Sequence, residues 1–473
     1  MIADLKPYAE YRGSGSRLLG AVPTSWDVRP LRTLVQRRNE RNHPDLPLLS
    51  VAREKGVFVR SLTDPDENHN VIPEDLSNYK VARAGSLVIN KMKAWQGSMG
   101  IAPCDGIVSP AYFVFDLGIE NRMFAQRLLR SKPYVGHFAQ ASDGVRVGQW
   151  DLSIPGMRQI PVLLPPKDEQ DAIVRFLDWA NGRLERAIRA KRKVIALLNE
   201  QKQAIIHRAV TRGLDPSVPL KPSGIPWLGD IPRHWEVLRL GGLVDLITGF
   251  PFASEGFDKN GNGTRLLRGV NVTPSGLRWK DVVYWVREPK DGLDGFAIYQ
   301  GDIILGMDRP EIAGGIRVSV VQEEDVPALL LQRVARLRVK SRLDARLLLF
   351  LLRGRMFSEY MAPIFTGVSV PHLSPGQIRK FKIALPPLEE QQSIISSIAE
   401  QTLPLESAIS RLEREIDLLR EYRTRLVADV VTGKLDVREA AAKLPVEEQT
   451  IEPEELVEYD SEMIEDEITE PAG

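Results

Sequence analysis

The chain has 473 residues, of which 43% are hydrophobic and 27% charged, the balance of a globular protein with more than one domain. It contains no run of about 18 apolar residues, and the first residues, MIADLKPYAEYRGSGS, lack the apolar core of a secretory signal. Cys104 is the only cysteine, which excludes an intrachain disulfide. We therefore expect no membrane span and a cytoplasmic location.

The net charge of zero conceals an asymmetry. From Asp436 onward there are 14 acidic and 2 basic residues, which leaves 61 basic and 49 acidic residues among residues 1–435. A basic body fits a polyanionic partner, although a solvated basic surface without such a partner is the alternative.

The patterning predicts five segments in chain order. Residues 1–165 form a first mixed domain, with strands in GSLVIN, AYFVFDL and IPVLLPP and a helix in MFAQRLLRS. Residues 166–215 form a first long helical segment. Residues 216–386 form a second mixed domain, with strands in GDIILGM, RVSVVQ, QRVARLRV and FKIALPP and a helical run in DARLLLFLLRGRMFSEYM. Residues 387–436 form a second long helical segment.

The remaining residues, 437–473, form an acidic tail that is poor in aromatic residues, and we predict that it is disordered. The alternative is that its scattered apolar residues dock on a partner or on the basic surface.

The two halves repeat each other. Residues 164–215 and 385–436 are identical at 18 of 52 positions without a gap, beginning with LPPKDEQ and LPPLEEQ. The lead-in motif SGSRLLGAVPTSWDV (residues 14–28) likewise returns as SGIPWLGDIPRHWEV (residues 223–237). The chain is therefore a tandem duplication of lead-in motif, domain and helix.

Each helical segment carries an apolar stripe at alternating steps of four and three residues, which is typical of a coiled coil. The predicted seam comprises Ile173, Leu177, Leu184, Val194, Leu198 and Ile205 in the first helix and Ile394, Ile398, Leu405, Leu412, Leu419 and Leu426 in the second. The stripes predict that the two helices pack against each other, and the alternative is that each packs on its neighbouring domain. Pro404, and Asn181-Gly182 at the aligned place, predict a break that divides each segment into a short and a long helix.

No feature of the sequence indicates catalysis. It contains no Walker A pattern, no glycine-rich dinucleotide motif and no zinc-type cluster of cysteine and histidine. Acidic pairs such as Asp308 and Glu311 have no adjacent lysine at a nuclease-like spacing. The sequence therefore predicts a recognition protein that is not an enzyme and binds no metal or cofactor itself.

Several motifs resemble the DNA-specificity subunit of type I restriction–modification systems. They are the repeated Leu-Pro-Pro-x-x-Glu-Gln, the segments AVTRGLDPSV and VVTGKLDVR that close the helices, the second lead-in motif, and NKMKAWQGSMGIAPCDGIVSPAYFVF (residues 90–115). The resemblance covers about residues 10–438 and excludes the acidic tail.

This resemblance implies an α+β fold with two similar target-recognition domains separated by two long antiparallel coiled-coil helices, with pseudo-twofold symmetry. Each domain would read one half of a bipartite, asymmetric site in double-stranded DNA. The helices would dock two methyltransferase (modification) subunits that use S-adenosylmethionine, and restriction subunits that use ATP and magnesium would join them. A stand-alone structural or regulatory DNA-binding protein without methyltransferase partners is the alternative.

The candidate DNA-binding residues are Arg, Lys, Asn and Gln side chains in loops, because these side chains read guanine and adenine or hold phosphates. They are Arg60, Lys91, Lys93, Gln96, Arg146 and Gln149 in the first domain and Arg265, Arg268, Asn271 and Arg309 in the second. For each of them, a solvated surface charge is the alternative.

Overall fold

The computed structural model describes residues 5–61, 75–146, 149–312, 314–365 and 371–445. Within these residues the chain forms two compact units, and both long helices are divided between them. The first unit combines residues 5–191 with residues 413–445, and the second unit contains residues 192–412. Each unit therefore contains one mixed domain, the first half of the helix that follows it and the second half of the other helix.

The first half of the chain contains fourteen named strands and four named helices in its described part. The strands are β1 (Tyr11–Gly13), β2 (Ala21–Pro23), β3 (Asp27–Pro30), β4 (Val35–Arg38), β5 (Leu49–Ala52), β6 (Gly56–Val59), β7 (Lys80–Ala82), β8 (Leu87–Asn90), β9 (Met99–Ile101), β10 (Gly106–Val108), β11 (Tyr112–Leu117), β12 (Ser142–Arg146), β13 (Gln149–Leu152) and β14 (Pro161–Leu164). The helices are α1 (Arg122–Leu129), α2 (Lys132–Gln140), α3 (Ile154–Arg158) and the long helix α4 (Lys167–Arg212).

The second half follows the same plan with additional short strands. The strands are β15 (Leu220–Pro222), β16 (Asp230–Pro232), β17 (Glu236–Arg239), β18 (Val244–Thr248), β19 (Thr264–Leu267), β20 (Val272–Thr273), β21 (Gly276–Leu277), β22 (Tyr284–Trp285), β23 (Ile303–Gly306), β24 (Glu311–Ile312), β25 (Gly315–Ile316), β26 (Val318–Val320), β27 (Ala328–Leu330), β28 (Val334–Val339) and β29 (Lys382–Leu385). The helices are α5 (Leu240–Leu243), α6 (Ala345–Arg353), α7 (Arg355–Phe365), α8 (Pro375–Lys380), the long helix α9 (Leu388–Val431) and α10 (Arg438–Ala442).

Each unit is built on a four-stranded antiparallel sheet, in the order β4-β11-β8-β9 in the first and β18-β28-β23-β26 in the second. A second pair of strands joins the start of each domain to its end. In this pair β3 binds β14 and β17 binds β29, with Leu164 opposite Asp27 and Leu385 opposite Glu236. The strands and helices predicted from the patterning are present, and the mixed α+β class with an internal repeat is confirmed.

Helix starts are capped in the same way in both units. Asn121 caps α1 by accepting a hydrogen bond from the Phe124 amide, and Asp344 caps α6 by accepting one from the Arg346 amide. Ser153 and Ser374 cap the next aligned pair, α3 and α8. The repeat in sequence is thus a repeat in local structure.

The glutamate of each Leu-Pro-Pro-x-x-Glu-Gln motif binds the tryptophan of the lead-in motif of the same domain. The Glu169 carboxylate accepts from Trp26 Nε1 at 2.9 Å and from the Tyr8 hydroxyl at 2.5 Å. The Glu390 carboxylate accepts from Trp235 Nε1 at 3.1 Å and from His234 Nε2 at 2.8 Å. These contacts fasten the start of each long helix to the start of its domain.

The glutamine of the same motif binds the residue that caps α1 in the first unit or α6 in the second. Gln391 accepts from the Asp344 amide at 2.8 Å and donates to the carbonyls of Arg342 and Pro386 at 2.9 Å. Gln170 accepts from the Asn121 amide at 3.4 Å and donates to the Pro165 carbonyl at 2.9 Å. Because both glutamines are buried, each bond replaces water that the site excludes.

The two long helices run antiparallel. Within the first unit Lys191 pairs with Glu415 at 2.5 Å and Arg423 pairs with Glu185 at 3.2 Å. Within the second unit Lys202 pairs with Glu406 at 2.5 Å. Partners later in α4 are earlier in α9, which only antiparallel helices produce, so the predicted antiparallel pair is confirmed.

The predicted break in each long helix is wrong. Helix α4 continues through Asn181 and Gly182, and helix α9 contains Pro404 in its interior. A proline in a helix removes one hydrogen bond at a cost of about 3 kcal/mol. Thr402, two residues before Pro404, is 4% exposed, so the helix is packed against its surroundings next to the proline.

The buried face of the helices repeats every 11 residues rather than every 7. Ile173, Leu184 and Ile206 are buried and Ile195 is half-buried, each separated from the next by 11 positions. An 11-residue period corresponds to 3.67 residues per turn and a heptad to 3.5, so a strict heptad drifts away from the buried face of a nearly straight helix.

The predicted seam residues divide accordingly. Buried among them are Ile173, Leu177, Leu184, Ile394, Ile398 and Leu426, and half-buried are Leu198, Ile205, Leu405, Leu412 and Leu419. Val194 is 45% exposed and does not belong to the seam. The heptad reading missed Ile188, Ile206 and Ile416, which are buried one position after the predicted frame.

The helix ends also complete the cores of the domains. In the first unit Ile173, Phe176 and Leu177 of α4 share one core with the domain and with Leu426 and Val430 of α9. In the second unit the core likewise joins the start of α9 and the end of α4 to the domain. Both packing alternatives therefore hold, because each helix end contacts its domain and the other helix.

The first residues of the predicted disordered tail are folded. Residues 437–445 belong to the first unit, where α10 buries Val437, Ala441 and Leu444. The Asp436 amide donates to the Lys6 carbonyl at 2.8 Å, and Arg175 donates to the Leu444 carbonyl at 2.7 Å. Residues 446–473, which carry most of the predicted disorder and the docking alternative, lie outside the described residues.

Candidate nucleic-acid interface

The first-unit candidates that follow β8 lie in a loop next to β13. Lys91 is half-buried, and its ammonium donates to Asp151 Oδ2 at 2.8 Å. Lys93 is exposed and precedes a short 3-10 turn that contains Gln96, which is half-buried. The lysine that the sequence places at a strand end is therefore held by a carboxylate from a distant strand.

The other first-unit candidates are more widely placed. Arg60 follows the β5–β6 hairpin, and its amide donates to the Leu48 carbonyl at 2.8 Å. Arg146 and Gln149 face each other in the register of β12 and β13, while their side chains lie outside the described part of the chain.

Three of the four second-unit candidates serve the fold. Asn271 is 1% exposed, and its side chain accepts from the Arg268 amide and donates to the Arg278 and Lys280 carbonyls. Arg265 lies 4.4 Å from the Trp279 ring and donates to the Glu324 carbonyl at 2.8 Å. Arg268 donates to the Asp281 carbonyl. Asn271 therefore uses its hydrogen-bonding groups inside the unit.

Arg309, the fourth second-unit candidate, is exposed and lies in a strained loop. Its backbone has a φ of 42°, in the left-handed region that residues with a side chain seldom adopt. The Arg309 amide donates to the Pro371 carbonyl at 2.8 Å, and the half-buried Arg317 guanidinium donates to the Asp308 carbonyl at 3.0 Å. These bonds hold the loop in its strained conformation.

Equivalent places in the two units can be identified from backbone pairing. Asn90 pairs with Tyr112 at one end of the first sheet, as Gly306 pairs with Val334 in the second. Just beyond these pairs, the Leu152 amide donates to the Lys91 carbonyl at 2.9 Å, and the Leu373 amide donates to the Met307 carbonyl at 2.8 Å. The same backbone frame therefore closes the same end of both sheets.

Different side chains occupy this common frame. In the first unit they are Lys91, Asp151, Trp95 and Trp150, which we term the first edge site; its two indole rings lie 5.1 Å apart. In the second unit they are Asp308, Arg333 and His372, which we term the second edge site.

The second edge site is organised around the Asp308 carboxylate. It accepts from His372 Nδ1 at 2.6 Å and from Arg333 Nη1 at 3.0 Å. Burial raises the pKa of the Asp308 carboxyl, but hydrogen bonds from His372 and Arg333 outweigh this effect and lower the pKa below its ordinary value. Asp308 is therefore ionised at neutral pH and holds both side chains in fixed positions.

A cavity of about 610 Å³ lies at the second edge site, lined also by Thr248, Gly249, Met307 and Gln332. Arg333 borders this cavity with 63% of its side chain exposed and a backbone φ of 65°. Arg333, which is strained, thus borders a cavity whose polar groups converge, and the strained Arg309 directly follows its lining residue Asp308. Such strain concentrates at functional sites because the surrounding structure has to maintain it.

A cavity of about 520 Å³ in the first unit contains several arginines that are already paired. Arg38 binds Asp116, and Arg83 binds Glu40 and Asp105. Arg37 lies 5.1 Å from the Phe113 ring. These pairings leave the cavity less suited to a phosphate than its arginine content suggests.

Two searches of the described residues were negative. In those parts of the chain no group of three or more histidine, cysteine, aspartate or glutamate side chains could hold a metal ion. None of the described helices combines the length and the apolar character needed to cross a membrane.

Sequence reasoning missed Asp151, Arg333 and His372. The pairs they form with Lys91 and Asp308 join residues 60, 25 and 64 positions apart, and only the folded sheet brings them together. The parallel between GVRVGQWDLS and GVSVPHLS was a usable signal, because it aligns Asp151 with His372.

Known proteins are similar to this chain in sequence and in fold. Residues 232–406 match the family model described as type I restriction modification DNA specificity domain. The MjaVIII specificity subunit of Methanocaldococcus jannaschii, a type I restriction enzyme subunit, is 29% identical over 59% of this chain and 63% of its own length. The EcoAI specificity subunit of Escherichia coli is 28% identical over 44% of this chain and 35% of its own length.

The chain is therefore similar to type I restriction–modification specificity subunits over the matched regions. The alignments span less than two thirds of the length of these two relatives. A solved structure described as the basis of complex assembly and conformational transition of the type I R-M system includes a chain similar to this one. Its TM-score is 0.59 at 17% identity, with 88% of this chain and 99% of that chain covered, which supports the shared fold.

Proposed function

We propose that this chain is the sequence-specific DNA-binding subunit of a type I restriction–modification complex, and that each unit binds one half of a bipartite, asymmetric site in double-stranded DNA. The observation that carries the proposal is the common frame with different side chains at the two edge sites. A protein that reads two different half-sites needs one scaffold twice and two different reading surfaces. Cytoplasmic DNA is the proposed target.

The long helices are proposed to bind two methyltransferase subunits. Large apolar side chains point outward from both: Val194, Leu197 and Leu403 in the second unit are 45%, 55% and 64% exposed, and Leu418 and Tyr422 in the first unit are 63% and 41% exposed. Apolar residues in such number on a charged helix surface favour a protein partner. The heptad frame had assigned Val194 to the pairing of the two helices, and its exposure makes it part of this outer surface instead.

Chemistry is proposed to reside in the partners. The methyltransferase subunits would bind S-adenosylmethionine, and restriction subunits would use ATP and magnesium. This chain would determine which adenines are methylated without taking part in the transfer.

The proposal is tested by co-expressing the full chain with the methyltransferase subunit that it is proposed to bind, in a host that lacks adenine methylation. Mapping N6-methyladenine by single-molecule sequencing should yield one motif with two defined halves and a fixed gap. The methyltransferase subunit expressed alone is the control and should give no motif. A motif that does not depend on this chain, or methyl transfer by this chain alone with S-adenosylmethionine, would contradict the proposal.

A further inference from the structure

We infer that the two edge sites read base pairs, with Arg333 donating to a guanine in one half-site and Lys91 donating to a guanine in the other; this inference rests on the proposed function. In the second edge site the Arg333 guanidinium is 63% exposed and is held by the Asp308 carboxylate.

The Arg333 guanidinium uses one edge inside the protein and leaves the other outward. Its Nη1 donates to Asp308, whereas Nε and Nη2 have no recorded partner among the described residues. Two parallel N–H groups at the outward edge match the O6 and N7 acceptors of guanine in the major groove. Because Asp308 already holds the Arg333 guanidinium before DNA binds, this side chain loses little conformational freedom on binding.

The backbone supports a role beyond surface solvation. Arg333 adopts a φ of 65°, where a glycine or asparagine would be less strained, and Arg309 adopts a φ of 42° on the facing loop. A cavity of about 610 Å³ lies beside Arg333, with Thr248 and Gln332 in its lining. Strain on both sides of Asp308 and a concave polar surface fit a site shaped for the edge of a base pair.

The first edge site has the same frame and different chemistry. The residue aligned with Arg333 is Ala111, so no arginine fork can be presented there. The Lys91 ammonium, held by Asp151 at 2.8 Å, offers a single charged donor instead, which suits guanine O6 or N7. Trp95 and Trp150 beside it supply an apolar surface that the second edge site lacks.

The test uses the full chain with its methyltransferase subunits and compares Arg333→Gln with Lys91→Gln. For Arg333→Gln we expect one guanine position of one half-site to accept other bases, with roughly 10-fold to 100-fold lower discrimination. For Lys91→Gln we expect a change at one position of the other half-site only. Arg342→Ala is the matched control, because Arg342 forms an exposed ion pair with Glu236 in the same unit, and it should leave the motif unchanged.

The outcomes separate this inference from the proposed function. If the unmodified complex gives no bipartite motif, both fail. If the unmodified complex gives a motif and Arg333→Gln retains every position of it, only the reading assignment fails. Should Arg333→Gln abolish methylation, the affinity of the complex is measured for duplexes that carry each of the four base pairs at every guanine position. Equal affinity for the four pairs at one position supports base reading, and a uniform loss with unchanged preference overturns it.

Discussion

The two units bind their lead-in tryptophans in nearly the same way, yet they close their sheets with different side chains. Glu169 and Glu390 occupy matching positions and accept from Trp26 and Trp235 at 2.9 and 3.1 Å. At the sheet ends, by contrast, a lysine beside two tryptophans in one unit corresponds to an arginine and a histidine in the other. The repeated contacts hold the scaffold, and the divergent ones are free to determine specificity.

A second difference lies in how the units are completed. The first unit buries Glu169 with Tyr8 and adds α10 from the far end of the chain. In the second unit the Glu390 side chain is 29% exposed and binds His234, which is also exposed. The same motif residue is thus more deeply enclosed in the first unit, and its loss should cost more there.

The largest expected effect comes from a change that leaves both units intact. Four residues inserted into α4 near Lys191, with four more near Glu415 of α9, lengthen the helix pair by about 6 Å, close to two base-pair steps of about 3.4 Å. If the helices set the distance between half-sites, the gap in the methylated motif should widen by about two base pairs while both halves stay the same.

The control for this insertion is four residues placed in the exposed loop at Asn260–Asn262 of the second unit, which should leave the gap unchanged. If the motif kept its original gap and its halves changed after the helix insertion, this would contradict the hypothesis that the helices set the distance between the half-sites.

The next effect compares Glu169→Ala with Glu390→Ala. Removing Glu169 leaves the buried Trp26 and Tyr8 donors without an acceptor, and we expect a loss of about 3 kcal/mol in the stability of the first unit. Glu390 and its partner His234 are partly solvated, although Trp235 is buried, and for Glu390→Ala we expect about 1–2 kcal/mol. Hydrogen exchange measured separately for each unit distinguishes the two, and equal losses would mean that burial does not govern the difference.

A smaller effect separates the inner from the outer face of α9. Ile416 is 6% exposed, so Ile416→Ala should destabilise the chain by about 2–3 kcal/mol, as measured by denaturant unfolding. Leu418, two residues later, is 63% exposed, and Leu418→Ala should change stability by less than about 0.5 kcal/mol.

Leu418→Asp provides the functional counterpart of this pair. It should leave the isolated chain folded and weaken co-purification with the methyltransferase subunit. Full retention of that subunit would argue against the outer face as its binding surface.

The smallest effect concerns acid. Hydrogen bonds from Arg438 lower the pKa of Asp436 below its ordinary value in spite of the opposing effect of burial. A carboxyl with a lowered pKa in the folded state adds stability above about pH 4, and this contribution is lost as the pH falls further. With the pair partly exposed, we expect at most about 1 kcal/mol.

As the pH falls below about 4, hydrogen exchange of the α10 amides should therefore accelerate more in the unmodified chain than in the Asp436→Asn variant. Identical acid responses of the two chains would show that Asp436 contributes nothing to the docking of α10.

Sequence patterning was sufficient for the repeat, the mixed domains and the antiparallel helices, because each of these is a local period or an alignment. It failed where a small error in the predicted helical period adds up along a long helix. A heptad frame and an 11-residue frame differ by only a fraction of a residue per turn. Over about four turns this difference places the heptad frame on the residue before Ile188, although Ile188 is the buried one.

The candidate site was harder to predict because its members meet only through the sheet. Lys91 was recognisable as a cation after a strand, but its carboxylate partner Asp151 comes from another strand, and the Asp308 partners Arg333 and His372 likewise lie far along the chain. Asn271 had the chemistry of a base reader, and only its burial and internal hydrogen bonds revealed another role. Glu169 belonged to a recognised motif, but its contact with Trp26 spans 143 residues.

The completion of the first unit by the end of the chain also determines the order of folding during synthesis. The second unit is fully translated once residue 412 leaves the ribosome, whereas the core of the first unit still lacks Leu426, Val430 and Val437. The domain made first therefore matures last, opposite to the usual order. A chain that terminates early would contain a complete second unit and an incomplete first unit. In the proposed function, such a chain could bind at most one half of the bipartite DNA site.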